Sequence, residues 1–192
     1  GTKDRYVNFT FPNPFQNGEQ AIAIAPVIDN ARVIHHYILY SSTGSFVTGW
    51  APGGVNSIYA DDLGLVIDPA HYPGFRLQVH YNNIDGPDAT DASGVAMCTT
   101  KTPGRQQVGV VTMGAFAINI PPRTPTTING TCSNLAKPGK TLHVVSGSAH
   151  MHMTGTGFRT ELFGSNGQSK AVITNIPDGT WSFDNQRPQP NL

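Results

Sequence analysis

The chain has 192 residues, and its 12 lysines and arginines are balanced by 12 aspartates and glutamates, so its formal net charge at pH 7 is zero. A chain of this length can bury a real hydrophobic core, as one large domain or two small ones. Because there is no basic excess to neutralise phosphates, a nucleic-acid-binding role is not expected. No apolar run approaches the roughly 20 residues that span a bilayer, so no membrane span is expected either.

Short apolar runs separated by turn residues predict an all-β fold. Only 12% of the residues are charged, whereas 38% are hydrophobic, and 21 glycines and 15 prolines punctuate the chain. No window of 12 or more residues shows a helical apolar period, and many short strands at this spacing are typical of sandwiches or jelly rolls. In chain order, the predicted strands are Ala21–Ala25, Val33–Tyr40, Leu63–Ile67, Phe75–Tyr81, Gly94–Thr99, Val108–Ile120, Thr126–Ile128, Thr141–Ser146, Gly157–Phe163 and Ala171–Ile173.

The segment Thr100–Gln107 is the best candidate for a domain boundary, because it is polar and contains Pro and Gly between two predicted strands. Two sequons, at Asn8 and Asn129, suggest glycosylation. Cys98 and Cys132 can close a loop of about 35 residues as a disulfide, the alternative being two buried free thiols. Together with the scarcity of lysine, these features predict a secreted protein, extracellular or periplasmic, whose signal peptide has been removed.

Five of the seven histidines fall in three apolar segments and form the candidate site. In a strand, His150 and His152 point to the same face, close enough to share a metal ion, whereas Met151 and Met153 point to the other. His80 lies opposite the apolar alternation of its strand, beside polar side chains, which suits a ligand better than a core residue. The adjacent His35 and His36 reach one ion only at a bulge or a strand end.

The other two histidines are weaker candidates. His71 lies in a turn and is expected at the surface, and His143 has the opposite parity to His150, so it supports the ligands at best. A lone strand histidine is more often structural than a ligand, but three such motifs in one weakly charged chain favour a metal site. Imidazole ligands suit copper, zinc or nickel, and their spacing does not choose among these metals.

The ordered motifs resemble the copper type II, ascorbate-dependent monooxygenases, a family that includes peptidylglycine α-hydroxylating and dopamine β-monooxygenases. A His-His pair leads a hydrophobic strand, an L-x-V-H-Y segment follows, and an S-G-V strand precedes an Ile-Pro-Pro stretch with a cysteine. A final His-x-His pair is followed by a glycine. The matching segments are His35–Tyr40, Leu77–Tyr81, Ser93–Val95, Ile120–Pro122 with Cys132, and His143–Gly155.

The resemblance implies two jelly-roll-like antiparallel β-sandwiches, over residues 1–104 and 105–192, with two coppers facing each other across a solvent-filled cleft. His35, His36 and His80 would hold the copper that supplies electrons. His150 and His152 would hold the copper where dioxygen binds and a C–H bond of a small organic substrate is hydroxylated. Ascorbate would be the reductant.

The chain also departs from the family pattern. The family's methionine ligand and late cysteines belong to strands beyond the region that ends at Leu192, so the second domain is expected to be incomplete and no methionine is assigned as a ligand. Ser148 stands where peptide-amidating members carry an arginine, which disfavours a glycine-extended peptide substrate.

Two other functions stay open at this stage. One is a secreted copper-binding protein that has kept the histidines without turnover. The other is a structural surface or assembly protein on the same fold, in which open strand edges of the C-terminal half pair with another copy or with a complementing chain.

Overall fold

The computed structural model describes residues 4–83, 86–115, 118–133, 135–136 and 140–186. Over these ranges the chain forms strands and no helix, which confirms the all-β prediction, and none of this part could therefore cross a membrane as a helix. The strands are β1 (Asp4–Pro12), β2 (Gln20–Val27), β3 (Ile34–Ser41), β4 (Phe46–Trp50), β5 (Ser57–Ile58), β6 (Leu63–Val66), β7 (Gly74–Asn82), β8 (Gly94–Thr100), β9 (Gln106–Val108), β10 (Phe158–Phe163) and β11 (Ser169–Ile176).

Two larger sheets form the N-terminal part of the molecule. One is an antiparallel sheet in the order β1-β7-β3-β4, and the other runs β5-β2-β6-β9 with β8 paired to β2. β9 pairs in parallel with β6, so this sheet continues a few residues beyond the predicted boundary at residue 104. β10 and β11 form a separate two-stranded sheet.

The hydrophobic core lies between the two larger sheets, because both contribute buried side chains to one cluster. The alternation in β7 decides which of its faces is buried: Phe75, Leu77 and Val79 are buried, whereas Arg76 and Gln78 between them are partly exposed. The cluster consists of Ala21, Ile24, Ile34, Tyr37, Leu39, Val47, Leu65, Ile67, Phe75, Leu77 and Val79. Its packing positions β3 and β7 side by side, with their other face turned away from the core.

The C-terminal half contains fewer strands than its apolar runs predict. The segments predicted as strands at 108–120, 126–128 and 141–146 are irregular wherever they are described beyond Val108, and residues 116–117 lie outside the described part. A strand requires a partner for its backbone N–H and C=O groups, and none of the described strands pairs with these segments. Their apolar side chains, such as Val111, Ile128 and Val145, are accordingly exposed.

Candidate metal centre

A β-bulge brings the two adjacent histidines of β3 to one place. In the pairing of β3 with β7, Ile34 lies opposite Tyr81 and His36 lies opposite His80, so the register shifts by one residue at His35. A bulge inserts an extra residue into one strand and re-aims its side chain. The bulge, one of the two arrangements expected to let His35 and His36 reach one ion, is therefore present.

The three histidines of β3 and β7 form a compact, buried cluster, called here the histidine trio. The ring centroids of His35 and His36 are 5.1 Å apart, and those of His80 lie 4.9 Å from His35 and 4.8 Å from His36. One ring nitrogen from each lies within 4.8 Å of the others. All three side chains are buried, although the face of the sheet on which they lie is not the core face.

Burial favours the neutral forms of His35 and His36. Desolvation, together with the nearby imidazoles of His80 and His35, lowers the pKa of His36 to about 3. Burial likewise lowers the pKa of His35, mainly through desolvation and then through His80. A neutral imidazole carries one N–H and one lone pair, which is the form that binds a metal ion.

Two ring nitrogens of the trio fit a metal ion. Nδ1 of His36 and Nδ1 of His80 are buried and have no hydrogen-bond partner. Leaving a buried polar atom unpaired costs about 1–3 kcal/mol, so such atoms call for an explanation. Imidazole nitrogen is a good ligand for copper, and a copper ion among the three rings would satisfy both atoms.

Residues of β1, which the sequence motifs did not indicate, contact the trio. The Asp4 carboxylate accepts a hydrogen bond from Nε2 of His80. Tyr6 lies directly opposite His80 in the β1–β7 pairing, and the two rings stack with centroids 4.1 Å apart and planes only 3° from parallel. The alternation of Val7, Phe9 and Phe11 was the one signal that could have revealed this strand.

The second predicted group, His150 and His152, lies in an irregular segment instead of the expected strand. The two rings nevertheless remain neighbours, with centroids 5.2 Å apart, and both residues are exposed. The ring centroid of His150 lies 5.7 Å from that of His36. The two histidine groups are thus in contact here, whereas the resemblance implied a solvent-filled cleft between them.

A short segment near the end of the described chain, Trp181–Gln186, links the two groups and is called here the linking segment. Phe183 packs against His35 with ring centroids 4.5 Å apart. The buried Gln186 accepts a hydrogen bond of 2.7 Å from Nδ1 of His150 through its side-chain oxygen. Its amide nitrogen donates to the Phe183 carbonyl, which fixes the orientation of the amide.

A pocket opens beside the trio. It has a volume of about 530 Å³, and its lining includes His35, Arg32, Asn82 and Phe183. Arg32 donates a hydrogen bond to the side chain of Asn83 at the same wall. A small molecule in this pocket would lie against His35, the member of the trio that lines it.

The remaining histidines and the methionines stand apart from the trio. His71 is half exposed and its Nδ1 hydrogen-bonds Asp68, in keeping with a turn residue at the surface. His143 is exposed. Met153 is 77% exposed, and Met151 packs beside Gly155.

The features that suggested an oxidising compartment are all accessible. Cys98, in β8, and Cys132, in an irregular segment, are exposed free thiols, so the predicted bond between them is not formed in this structure. The alternative prediction, two buried free thiols, is wrong as well, because both cysteines are exposed. Asn8 and Asn129 are exposed, as glycosylation requires, and the side-chain oxygen of Asn8 accepts a hydrogen bond from Arg76.

Comparison with known proteins connects this geometry to one family. No family model matches the chain. Dopamine beta-hydroxylase of Equus caballus is 30% identical over 66% of this chain, and that of Homo sapiens is 30% identical over 73%. DBH-like monooxygenase protein 2 of Mus musculus is 28% identical over 48%. The chain spans about a fifth of the length of these relatives, 22% of either hydroxylase and 19% of the mouse protein. The order of the histidine motifs and these similarities agree, and both relate the chain to the copper type II monooxygenases.

Proposed function

We propose that this chain carries the copper sites of a monooxygenase that hydroxylates a C–H bond of a small organic substrate, using dioxygen and ascorbate. The observation that supports it most directly is the buried histidine trio, in which two ring nitrogens have no partner and the three rings converge. The similarity to dopamine beta-hydroxylases supports the reaction type.

In this proposal His35, His36 and His80 hold one copper, and His150 and His152 provide ligands for the second. Bound copper supplies one-electron redox chemistry and the activation of dioxygen. The buried trio is shielded from water, which suits a site that only passes electrons. The exposed pair is open to solvent, which suits the site where substrate and dioxygen must enter.

The neighbouring side chains determine which nitrogen each ring offers. Because the Gln186 amide oxygen can only accept, the proton of neutral His150 is on Nδ1, and Nε2 is left with its lone pair. Hydrogen bonds of this kind fix the tautomer and the ring orientation of metal-binding histidines. His150 is therefore held ready to bind a metal through Nε2.

Dopamine beta-hydroxylase is named for a small amine substrate, and we propose a small molecule for this chain as well. The exposed sequon residues Asn8 and Asn129 support the proposal that the protein is secreted.

The first test is to load the purified chain with copper and measure the metal content, the Cu(II) electron paramagnetic resonance spectrum and ascorbate-dependent oxygen consumption. We expect about two coppers per chain with nitrogen-rich spectra. His36→Ala should stop electron delivery and lower the copper content, and His150→Ala should abolish oxygen activation. The matched control is His143→Ala, because His143 is an exposed histidine outside the site.

A copper-binding role without turnover is the second candidate. It is favoured by the difference between the two groups: the trio already offers three converging imidazoles, whereas the exposed pair offers two. This role predicts copper uptake with no oxygen consumption. Full oxygen consumption in both His36→Ala and His150→Ala would contradict the copper assignment in either role.

A further inference from the structure

We propose that Asp4, on the edge strand β1, is a positioning residue that fixes the His80 ring with Nδ1 directed toward the metal. The inference rests on the proposed copper site, but its first test needs no metal. No motif in the chain indicates Asp4, since the family resemblance begins at His35.

The pairing of β1 with β7 places the Asp4 side chain near His80. Tyr6 lies opposite His80, so Asp4 is two residues away on the same face of the sheet. Its carboxylate reaches Nε2 of His80 and is largely solvent-exposed, whereas the His80 side chain is only 9% exposed. The carboxylate is thus hydrated on one side and bonded to a buried ring on the other.

Hydrogen-bond chemistry then assigns the proton of the neutral ring. An ionised carboxylate only accepts, so the bond requires the proton to be on Nε2 of His80. The lone pair must be on Nδ1, which is the buried atom without a partner. The negative charge beside the Nε2–H also makes the imidazole a stronger donor to a metal.

Tyr6 fixes the remaining freedom of the ring. Its ring stacks on His80 and also meets the edge of His36, with centroids 6.0 Å apart. The ring of His80 is therefore held in its plane by stacking and fixed about its axis by the bond to Asp4. The groups that contact the His80 ring are Asp4 and Tyr6 from β1 and His35 and His36 from β3.

The metal-free test uses nuclear magnetic resonance of the full chain labelled with ¹⁵N-histidine, with His80 assigned by its loss in His80→Gln. In its neutral form the His80 ring should carry its proton on Nε2, and this proton should be shifted downfield and exchange slowly with water. In Asp4→Ala this proton should exchange too fast to be seen. The matched control is Asp61→Ala, which removes an equal charge at an exposed position in the turn before β6.

Copper affinity provides the second readout. We expect Asp4→Ala to weaken copper binding by the trio tenfold to a hundredfold, as loss of such a supporting partner typically does. Asp4→Asn, which keeps an acceptor oxygen, should lose less copper affinity than Asp4→Ala. Pulsed electron paramagnetic resonance should show a changed coupling to the remote nitrogen of one histidine in Asp4→Ala, and an unchanged one in Asp61→Ala.

The outcomes separate this inference from the proposed function. Absence of copper binding in the unmodified chain would overturn the proposed function, while the proton on His80 would still decide the role of Asp4. A His80 ring protonated on Nδ1, or a slowly exchanging Nε2 proton that survives Asp4→Ala, would overturn the inference. Urea unfolding of Asp4→Ala checks that the fold is kept, and Tyr6→Phe should retain both the proton and the stacking.

Discussion

At the scale of single residues, burial distinguishes the two histidine groups more than their sequence spacing does. His35, His36 and His80 have less than a tenth of their surface exposed, whereas His150 and His152 are exposed. Burial disfavours the charged imidazolium, so His35 and His36 are kept in the neutral form that can bind a metal. In the exposed pair, His150 is oriented by a hydrogen bond to the buried Gln186.

The low pKa of His36 predicts how the stability of the metal-free chain depends on pH. The unfolded histidine titrates near 6.5, and the folded one at about 3, so the unfolded state binds one more proton between these values. The contribution to stability is fully present above about pH 6.5 and is lost as the pH falls toward 3, at about 1.4 kcal/mol per pH unit where the full proton difference applies. Urea unfolding measured from pH 7.5 to 4 should show this slope. In His36→Gln the slope should be smaller, and in His143→Gln it should be unchanged. Equal slopes in all three proteins would contradict the assignment.

The two exposed cysteines make a second prediction. Because Cys98 and Cys132 are accessible thiols here, both should react with iodoacetamide in the folded chain, and mass spectrometry should count two additions. If the bond predicted from the sequence forms in an oxidising compartment, the folded protein adds none until it is reduced. Labelling before and after reduction therefore distinguishes the two states.

At the scale of elements, the site depends on an edge strand and a bulge. β1 has one neighbour, β7, and carries Asp4 and Tyr6 to His80. The bulge in β3 places His35 beside His36, which a regular strand would separate onto opposite faces. Changes in the β1–β7 pairing should therefore alter the positions of the side chains in the trio.

Gly74→Ala tests this dependence at the far end of the same pairing. A Cβ at Gly74 would lie 2.7 Å from the backbone oxygen of Phe11, so β1 must move away from β7. We expect the free energy of unfolding to fall by about 1–3 kcal/mol, as for other overpacked positions, and copper binding by the trio to weaken. Gly94→Ala is the control, because nothing lies within 4 Å of a Cβ there. A loss of stability as large in Gly94→Ala would show that the contact with β1 is not the cause.

At the scale of the whole molecule, the linking segment joins the histidines of the two halves. Besides the Phe183 and Gln186 contacts, the backbone N–H of Gln186 donates to the carbonyl of Pro52 over 2.7 Å. Asn185 lies directly against Gly53, so the loop after β4 and the linking segment pack closely. The separation between His36 and His150 is set by these contacts as much as by either half alone.

Two glycines with left-handed backbone provide a matched test of that packing. Gly53 has φ +82° and faces Asn185, and a Cβ added to Gly53 would lie 2.8 Å from the Cα of Asn185. Gly179 has φ +77°, and nothing lies within 4 Å of a Cβ added there. In Gly179→Ala the free energy of unfolding should fall only by the cost of a left-handed non-glycine residue, about 1–2 kcal/mol. Gly53→Ala should lose more stability and also shift the ¹⁵N resonances of His150. Identical effects of both variants would mean that the linking segment does not rest on the loop.

The sequence motifs indicated most of the site, and the reason is physical. Alternation in β7 shows that His80 lies opposite Phe75, Leu77 and Val79, and the same rule required a bulge at His35. Apolar runs predicted β2, β3 and β6 to within a few residues. Apolar runs also predicted strands at 126–128 and 141–146 that do not form, because an apolar run becomes a strand only where a partner is available for its backbone.

By itself, then, the sequence determined the all-β class, the face on which His80 lies and the similarity to copper type II monooxygenases, since these follow from local periodicity and from residue order. Only the tertiary structure decided that Asp4 and Tyr6 support His80, that Gln186 holds His150, and that the two histidine groups are in contact. These pairs are 36 to 114 residues apart in the chain, and their proximity depends on strand pairing and loop packing, to which no local pattern responds.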